Sequence, residues 1–356
     1  MATWQVREAT VADYAGIRAC MVDILQETEG QKTTGFGQEF WEWQYLKTEE
    51  PSLIVVAEDG GIIRGYFHIV MLPVRYHGRR VLGGLIQDVA TLKAYRREGT
   101  LPAMNLFARD LLWNRGGSFV FGFPNYKSAP IFGRVYHTIT TVPVHVRPLD
   151  LGRVLADRFG TAAGMVGTLA GPLYRALLVR RMPLARGEDV VALNRFDEEA
   201  EQVAREFAEP AVVFVERTAR FLNWRFVEKP TREYGIWGLR RDGRLRAYLV
   251  TRTGTLYGTR CVIVMDLGCL KGEEPALLRL LAARLAAEQL TSATACVLEG
   301  LHPFFQQLRR LGFVRVPDRY NPRRVIFQAG APAPDMGTDL FEAQSWFVSL
   351  ADWDVI

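Results

Sequence analysis

The most chemically suggestive stretch of this chain is Arg96-Arg97-Glu98-Gly99-Thr100-Leu101, set between an apolar strand pattern and a helix pattern. The N–H groups of a helix's first turn, together with its dipole, bind phosphate oxygens, and a glycine lets the backbone approach closely or take a positive φ. An arginine on the same turn adds charge. Leu82 to Leu92 supplies the strand before the turn, and Thr100 is the expected cap of a helix with Pro102 in its first turn and Leu101, Met104, Ala108 and Leu111 on one face. Gly116-Gly117 ends that helix, and Ser118 to Phe123 reads as a compact buried strand. A strand-helix-strand passage places it parallel to Leu82–Leu92 through a right-handed crossover.

The elements around the turn occur twice. Phe40-Trp41-Glu42-Trp43-Gln44-Tyr45 is echoed by Phe221-Leu222-Asn223-Trp224-Arg225-Phe226, and each copy is followed by a Pro, an apolar run, an Asp-Gly and a small-aromatic pair, Gly65-Tyr66 or Ala247-Tyr248. Gln87-Asp88-Val89-Ala90-Thr91-Leu92 then matches Met265-Asp266-Leu267-Gly268-Cys269-Leu270. A repeat of this length means two copies of one domain. Fourteen positions separate Asp88 from Pro102 and nine separate Asp266 from Pro275, so the second copy lacks five residues where Arg96 to Thr100 sit.

With 356 residues, 49% apolar and 23% charged, the chain can bury two cores. A formal charge of +5 with scattered basic residues argues against a nucleic-acid face. Cys20, Cys261, Cys269 and Cys296 lack paired or ligand spacing and read as reduced core thiols of a cytoplasmic protein. The histidines His68, His77, His137, His145 and His302 show no ligand spacing either, so no metal is expected. The N-terminus lacks an export pattern and no apolar run spans a bilayer, so stable membrane insertion is not expected.

At this point the chain resembles the GNAT acetyltransferase superfamily. Its (Gln/Arg)-x-x-Gly-x-(Gly/Ala) signature corresponds to Arg96-Arg97-Glu98-Gly99-Thr100-Leu101, with Leu101 departing from the last position, and Val89 to Tyr95 resembles the family's preceding strand and loop. Leu311-Gly312-Phe313 matches a Leu-Gly-Phe that commonly closes such a domain; the first copy has Val135-Tyr136-His137 there. The resemblance implies acyl transfer from acetyl-CoA or another acyl-CoA to an amine, which needs a neutral amine, a place for the oxyanion and a proton for the thiolate. It implies Asp88 as the base, with Asp266 its twin, and backbone N–H groups near Val89, Ala90 and Thr91 polarising the thioester. It implies contacts to the cofactor from Arg96, Arg97, Glu98, Gly99, Thr100 and Leu101, and from Asn125 and Ser128 near the pantetheine arm. The family's acid, a Tyr seven residues after the Asn, is Phe132 here, which leaves Tyr126, Tyr136 or water to protonate the thiolate.

The expected fold is α/β with mixed sheets: a GNAT-like domain over 1–140, a partly helical connector over 141–205, a degenerate GNAT-like domain over 206–330 and a docked tail over 331–356. Within the connector, the uncharged run Gly160 to Tyr174 precedes Arg175, Arg180 and Arg181. Apolar surface beside arginines suits anionic lipid, but the run is too short to span, which favours a helix packed across both domains. The expected function is an N-acyltransferase for an unidentified small-molecule or peptidyl amine. A non-catalytic acyl-CoA scaffold would account for Phe132. The third reading, an aminoacyl transferase drawing on charged tRNA, is opposed by the retained loop and the scattered basic residues.

Overall fold

The computed structural model describes residues 4–29, 37–230, 233–256, 258–291, 293–321 and 324–353. The last three residues of the expected docked tail, 354–356, lie outside the described residues. The chain opens with β1 (Gln5–Glu8), α1 (Tyr14–Glu29), α2 (Gln38–Leu46), β2 (Leu53–Asp59), β3 (Ile62–Tyr76), β4 (Arg79–Thr91), α3 (Thr100–Asn114), β5 (Gly117–Gly122), α4 (Ala129–Phe132) and β6 (His137–Thr141). There follow β7 (Val144–Pro148), α5 (Leu151–Phe159), α6 (Thr161–Leu178), β8 (Glu188–Ala192), α7 (Glu198–Ala208), β9 (Val213–Val215) and α8 (Ala219–Phe226). The last elements are β10 (Gly235–Arg241), β11 (Arg244–Leu256), β12 (Thr259–Cys269), α9 (Glu274–Leu290), β13 (Ala295–Glu299), β14 (Val314–Arg315) and β15 (Ile326–Gly330).

Two compact units result, and neither is continuous in sequence. The first comprises the described residues of 1–139, 228–231 and 327–341; the second comprises those of 140–227, 232–326 and 342–356. The first unit's sheet runs β1-β2-β3-β4-β5-β15-β6. Its pairings from β1 to β4 are antiparallel, and β4 to β5 is parallel. The β2–β3 hairpin turns on Gly60 and Gly61, both at positive φ, the geometry a two-residue turn requires. On one sheet face, Leu53, Val55 and Ala57 recur at strand period and meet Met104, Ala108 and Leu112, which recur every four residues on α3. On the far side β15 lies between β5 and β6: Gln328 pairs with Gly122, and its side-chain amide donates to Ala129 O at 3.2 Å and Thr138 Oγ1 at 2.8 Å.

The second unit's seven-stranded sheet runs β14-β7-β13-β12-β11-β10-β8. Its one parallel step, β12 to β13, is again bridged by a helix, α9, whose Leu277, Leu278, Leu281 and Leu285 are buried. The order of pairings repeats that of the first sheet, with β8 in the place of β1. Residues 141–205, expected as a connector, therefore supply β7, β8 and α7 to this unit, and only α5 and α6 lack a counterpart. β8 is five residues long and begins Glu-Asp, so it carries too short an apolar pattern to be read from the sequence. Nor does α6 behave as the packed connector helix that was expected. Its Gly164 and Gly167 are buried against α5, whereas Leu169 is 83% and Leu177 71% exposed.

Candidate active site

The β4–β5 pairing ends at Ile86 opposite Gly122, while β4 continues to Thr91. Beyond Ile86 the backbone of Gln87 to Thr91 is held by β3 on one side and has no β5 partner on the other, so the two parallel strands form the walls of a wedge. One irregularity lies at its mouth. Phe67 pairs with Val89 and His68 with Gln87, which leaves Asp88 as the extra residue of a β-bulge. Bulges re-aim side chains and are enriched beside active sites.

Three side chains fix this bulge. Tyr45 of α2 donates its hydroxyl to Asp88 Oδ2 at 2.5 Å and stacks on His68, with ring centroids 4.4 Å apart. His68, fully buried, has its Nδ1 3.0 Å from the carbonyl of Asp88 and its Nε2 3.4 Å from Trp41 Nε1. An indole nitrogen can only donate, so His68 Nε2 accepts and Nδ1–H donates to the Asp88 carbonyl. Burial lowers the His68 pKa to about 4, which keeps the ring neutral and this tautomer in place. Burial first, and then the Asp88 charge, also hold Tyr66 protonated. The carboxylate of Asp88 is thereby placed by one hydrogen bond and its backbone by another. No spacing argument singles out Trp41, Tyr45 or His68. Their one signal in the sequence is contrast, because the echoed positions hold Leu222, Phe226 and Val250.

The loop after β4 is a built turn. Glu27 accepts from Lys93 N at 2.9 Å, Arg96 Nε donates to Thr91 O at 2.9 Å, and Arg97 and Gly99 both take positive φ, +75° and +83°. Gly99, not Thr100, is the N-cap of α3; the Thr100 hydroxyl turns back to donate to Tyr95 O at 3.1 Å. No side chain caps the helix, and a Cβ on Gly99 would meet nothing within 4 Å. The space above Gly99 is therefore open, with Arg96, Arg97 and Glu98 exposed around it, while Thr100 is buried and Ala103 N already donates to Gly99 O at 3.0 Å. Thr91 Oγ1 at the strand end is buried without a hydrogen-bond partner. A helix start with no side-chain cap and open space above Gly99 fits the phosphate groups of a coenzyme A arm. Glu98 and Leu101 sit on the same turn, Glu98 exposed and Leu101 packed partly against the core.

Past the wedge, Asn125 is exposed, and its Oδ1 accepts from Lys127 N, Ser128 N and Ser128 Oγ, so both residues shape the turn into α4. Tyr126 is 72% exposed. Tyr136 is buried in the core and donates to Asn105 Oδ1, and burial raises its pKa. Phe132 stacks on it, with ring planes 11° apart. A hydroxyl committed inside the core is poorly placed to protonate a thiolate, which speaks against Tyr136 and leaves Tyr126 or water.

The corresponding place in the second unit is built differently. Its bulge falls one residue earlier, on Met265, so Asp266 stays in register opposite Val250. Asp266 is 1% exposed and accepts from Tyr248 at 2.8 Å and Ser349 at 2.7 Å, with Arg217 Nε 3.8 Å away. Burial pushes its carboxyl up even beside Arg217, whose other anionic partner is Asp352 at 2.7 Å. The wedge between β12 and β13 is filled by the chain's own tail: Leu301 and Val348 exchange hydrogen bonds of 2.9 and 3.1 Å, and Phe347 lies under Arg217. α9 begins with Glu273 and Glu274 where α3 has Gly99 and Thr100, and Arg241 binds Glu273.

A family model described as an acetyltransferase (GNAT) domain matches residues 5–136. No curated protein matches the chain in sequence. Among solved structures, the chain is similar to a conserved protein of Enterococcus faecalis V583 described as a probable N-acyltransferase, with 13% identity and a TM-score of 0.63 over 92% of this chain and 72% of that one. A GCN5-related N-acetyltransferase of Anabaena variabilis ATCC 29413 gives 10% identity and 0.63 over the same shares. Saccharomyces cerevisiae N-myristoyltransferase, solved with myristoyl-CoA and inhibitors, gives 10% and 0.59 over 92% of this chain and 80% of that one. At those identities the likeness speaks to the fold alone. With the turn at Gly99, the bulged strand and the parallel crossover all inside the matched segment, residues 5–136 belong to the GNAT family of acetyltransferases.

Proposed function

We propose that the first unit is an N-acyltransferase taking its acyl group from acetyl-CoA or another acyl-CoA and passing it to an amine, and that the second unit is a copy that has lost the cofactor. The observation that carries this reading is the pairing of an uncapped, open helix start at Gly99 with a carboxylate held at the mouth of the same wedge. When bound, the cofactor supplies an acyl group on a thioester and a thiol as leaving group. Backbone N–H groups of the exposed turn at Gly99 would hold its phosphates, with Arg97 adding charge and Arg96 keeping the turn in shape. Backbone N–H groups of Val89 to Thr91 would polarise the thioester carbonyl. Asp88 would accept the proton from the acceptor ammonium, so that the neutral nitrogen forms the new C–N bond as the C–S bond breaks. The proton for the sulfur would come from Tyr126 or water.

Calorimetry with acetyl-CoA should give one site per chain, abolished by Gly99→Asp, whose carboxylate would occupy the anion position and whose side chain is strained at φ +83°. Two sites, or undiminished binding in that variant, would overturn the reading. Thiol release across a panel of amines then tests turnover. The rival reading, a CoA-binding scaffold without turnover, draws on Phe132 and on the core position of Tyr136, and it is favoured if binding occurs while no amine releases thiol.

A further inference from the structure

The α5–α6 hairpin leaves a large apolar face without a partner. Its inner seam is made of small residues: Gly152, Gly164 and Gly167 lie so close that an added Cβ would come within 2.3–2.7 Å of Thr168, Ala156 and the Leu151 carbonyl. Close approach of this kind uses up the side of α6 that could have packed on a core. Met165, Leu169, Leu173 and Leu177, spaced every four residues, form a ridge on the outside, and Val166 and Phe159 flank it; every one of them is exposed. In water such a ridge is unfavourable, and large apolar patches on soluble surfaces mark interaction sites. The hairpin is held to its own unit at both ends: Asp150 N donates to Thr294 O at 3.0 Å before α5, and towards the end of α6 the Tyr174 hydroxyl donates to Gly312 O at 2.8 Å and Arg180 N to Arg310 O at 2.8 Å.

Charge decides among the possible occupants. From 150 to 187 the hairpin and its flanks carry Arg153, Arg158, Arg175, Arg180, Arg181 and Arg186 against Asp150 and Asp157, and α6 itself contains no acidic residue. Asp150 is already engaged in capping α5 through Arg153 N. A self-complementary dimer would bring those arginines against one another, whereas a layer of anionic headgroups would neutralise them. We propose that α6 lies in the surface of a lipid bilayer bearing anionic headgroups, with the Met165–Leu177 ridge among the upper acyl chains and the arginines at headgroup level. No helix of the described residues is long and apolar enough to cross a membrane, so the mode is interfacial. The inference is independent of the acyl-transfer reading.

The test is flotation of the full chain with vesicles of phosphatidylcholine alone and of equimolar phosphatidylcholine and phosphatidylglycerol. Binding is expected to the mixed vesicles and to weaken with salt. Leu169→Asp with Leu173→Asp should lower the partition coefficient by tenfold or more, on the order of what two exposed leucines contribute on burial. Arg175→Glu and Arg181→Glu should each lower it by roughly fivefold or more. Both leucines are exposed, so the double variant should keep its circular dichroism spectrum and melting temperature. Absence of binding to mixed vesicles, equal binding to neutral ones, or a dimer that Leu169→Asp converts to a monomer would overturn the proposal, the last by assigning the face to a second copy.

Discussion

The wedges of the two sheets start from one strand order and end in opposite conditions. In the first unit the strand past the bulge has no β5 partner, and a half-buried Asp88 stands at the mouth with a tyrosine on its carboxylate. In the second the same opening is filled by Trp346 to Asp352, and Asp266 is sealed into a network with Tyr248, Ser349 and Arg217. The two aspartates align in sequence, yet a bulge displaced by one residue puts one outside the ladder and the other within it. Burial then separates their chemistry: a carboxylate in contact with solvent can exchange protons with a substrate, and one enclosed with an arginine can only hold structure.

The strongest way to break this comparison is to make the same change at both places. Asp88→Asn should lower turnover by roughly 10²–10⁴-fold and leave the melting temperature nearly unchanged, because the replacement is close to isosteric and general-base help is of that size. Asp266→Asn should do the reverse, lowering stability with little direct effect on rate. If both variants lose only stability, Asp88 is structural too. Next in size is Arg217→Met, which strands Asp266 and Asp352 in the interior; urea denaturation should show a loss of about 3–5 kcal/mol, and a neutral result would mean the network is not holding the plug.

The pH dependence of stability sharpens the contrast, since Val250 stands where the first unit has His68. The folded chain keeps His68 neutral down to about 4, whereas an ordinary histidine takes its proton near 6.5. The unfolded state therefore binds more protons between those values. Stability from this residue is complete above pH 6.5 and is lost as pH falls towards 4, by about 3 kcal/mol at most. His145 and His302 are lowered in the same direction by burial and add to the slope. Melting curves of His68→Gln should be flatter across that window; an unchanged slope would remove His68 from the account.

Smaller still is Tyr45→Phe, which gives the first unit the residue the second already has at the echoed position, Phe226. Loss of one hydrogen bond to a carboxylate should cost about tenfold in rate with unchanged cofactor affinity, a split that a purely structural tyrosine would not give. The least effect is expected from Phe132→Tyr. A gain in rate, however modest, would mean that proton delivery to the thiol limits turnover, and no gain would leave that proton to Tyr126 or water.

The repeat, the five residues missing from the second copy and the strand-turn-helix-strand around Gly99 are all legible in the residues alone, because they depend on local chemistry, apolar period and turn glycines; the cap of α3 is not, since it falls on Gly99 rather than the expected Thr100. The GNAT resemblance of the first copy follows from those same residues. Other features depend on which distant segments come together. That β8 and α7 belong to the second unit follows from pairing with β10 and packing on its sheet, which five residues of weak pattern do not announce. That Asp88 and Asp266 differ follows from a one-residue shift of register and from a tail some eighty residues further on, and pattern matching scores the two as equals. That α6 shows its leucines to solvent follows from glycines closing on α5, since the same run of small and apolar residues would have suited a buried helix equally well. Local sequence sets which elements can form; burial and register, which are long-range, set what each side chain can then do.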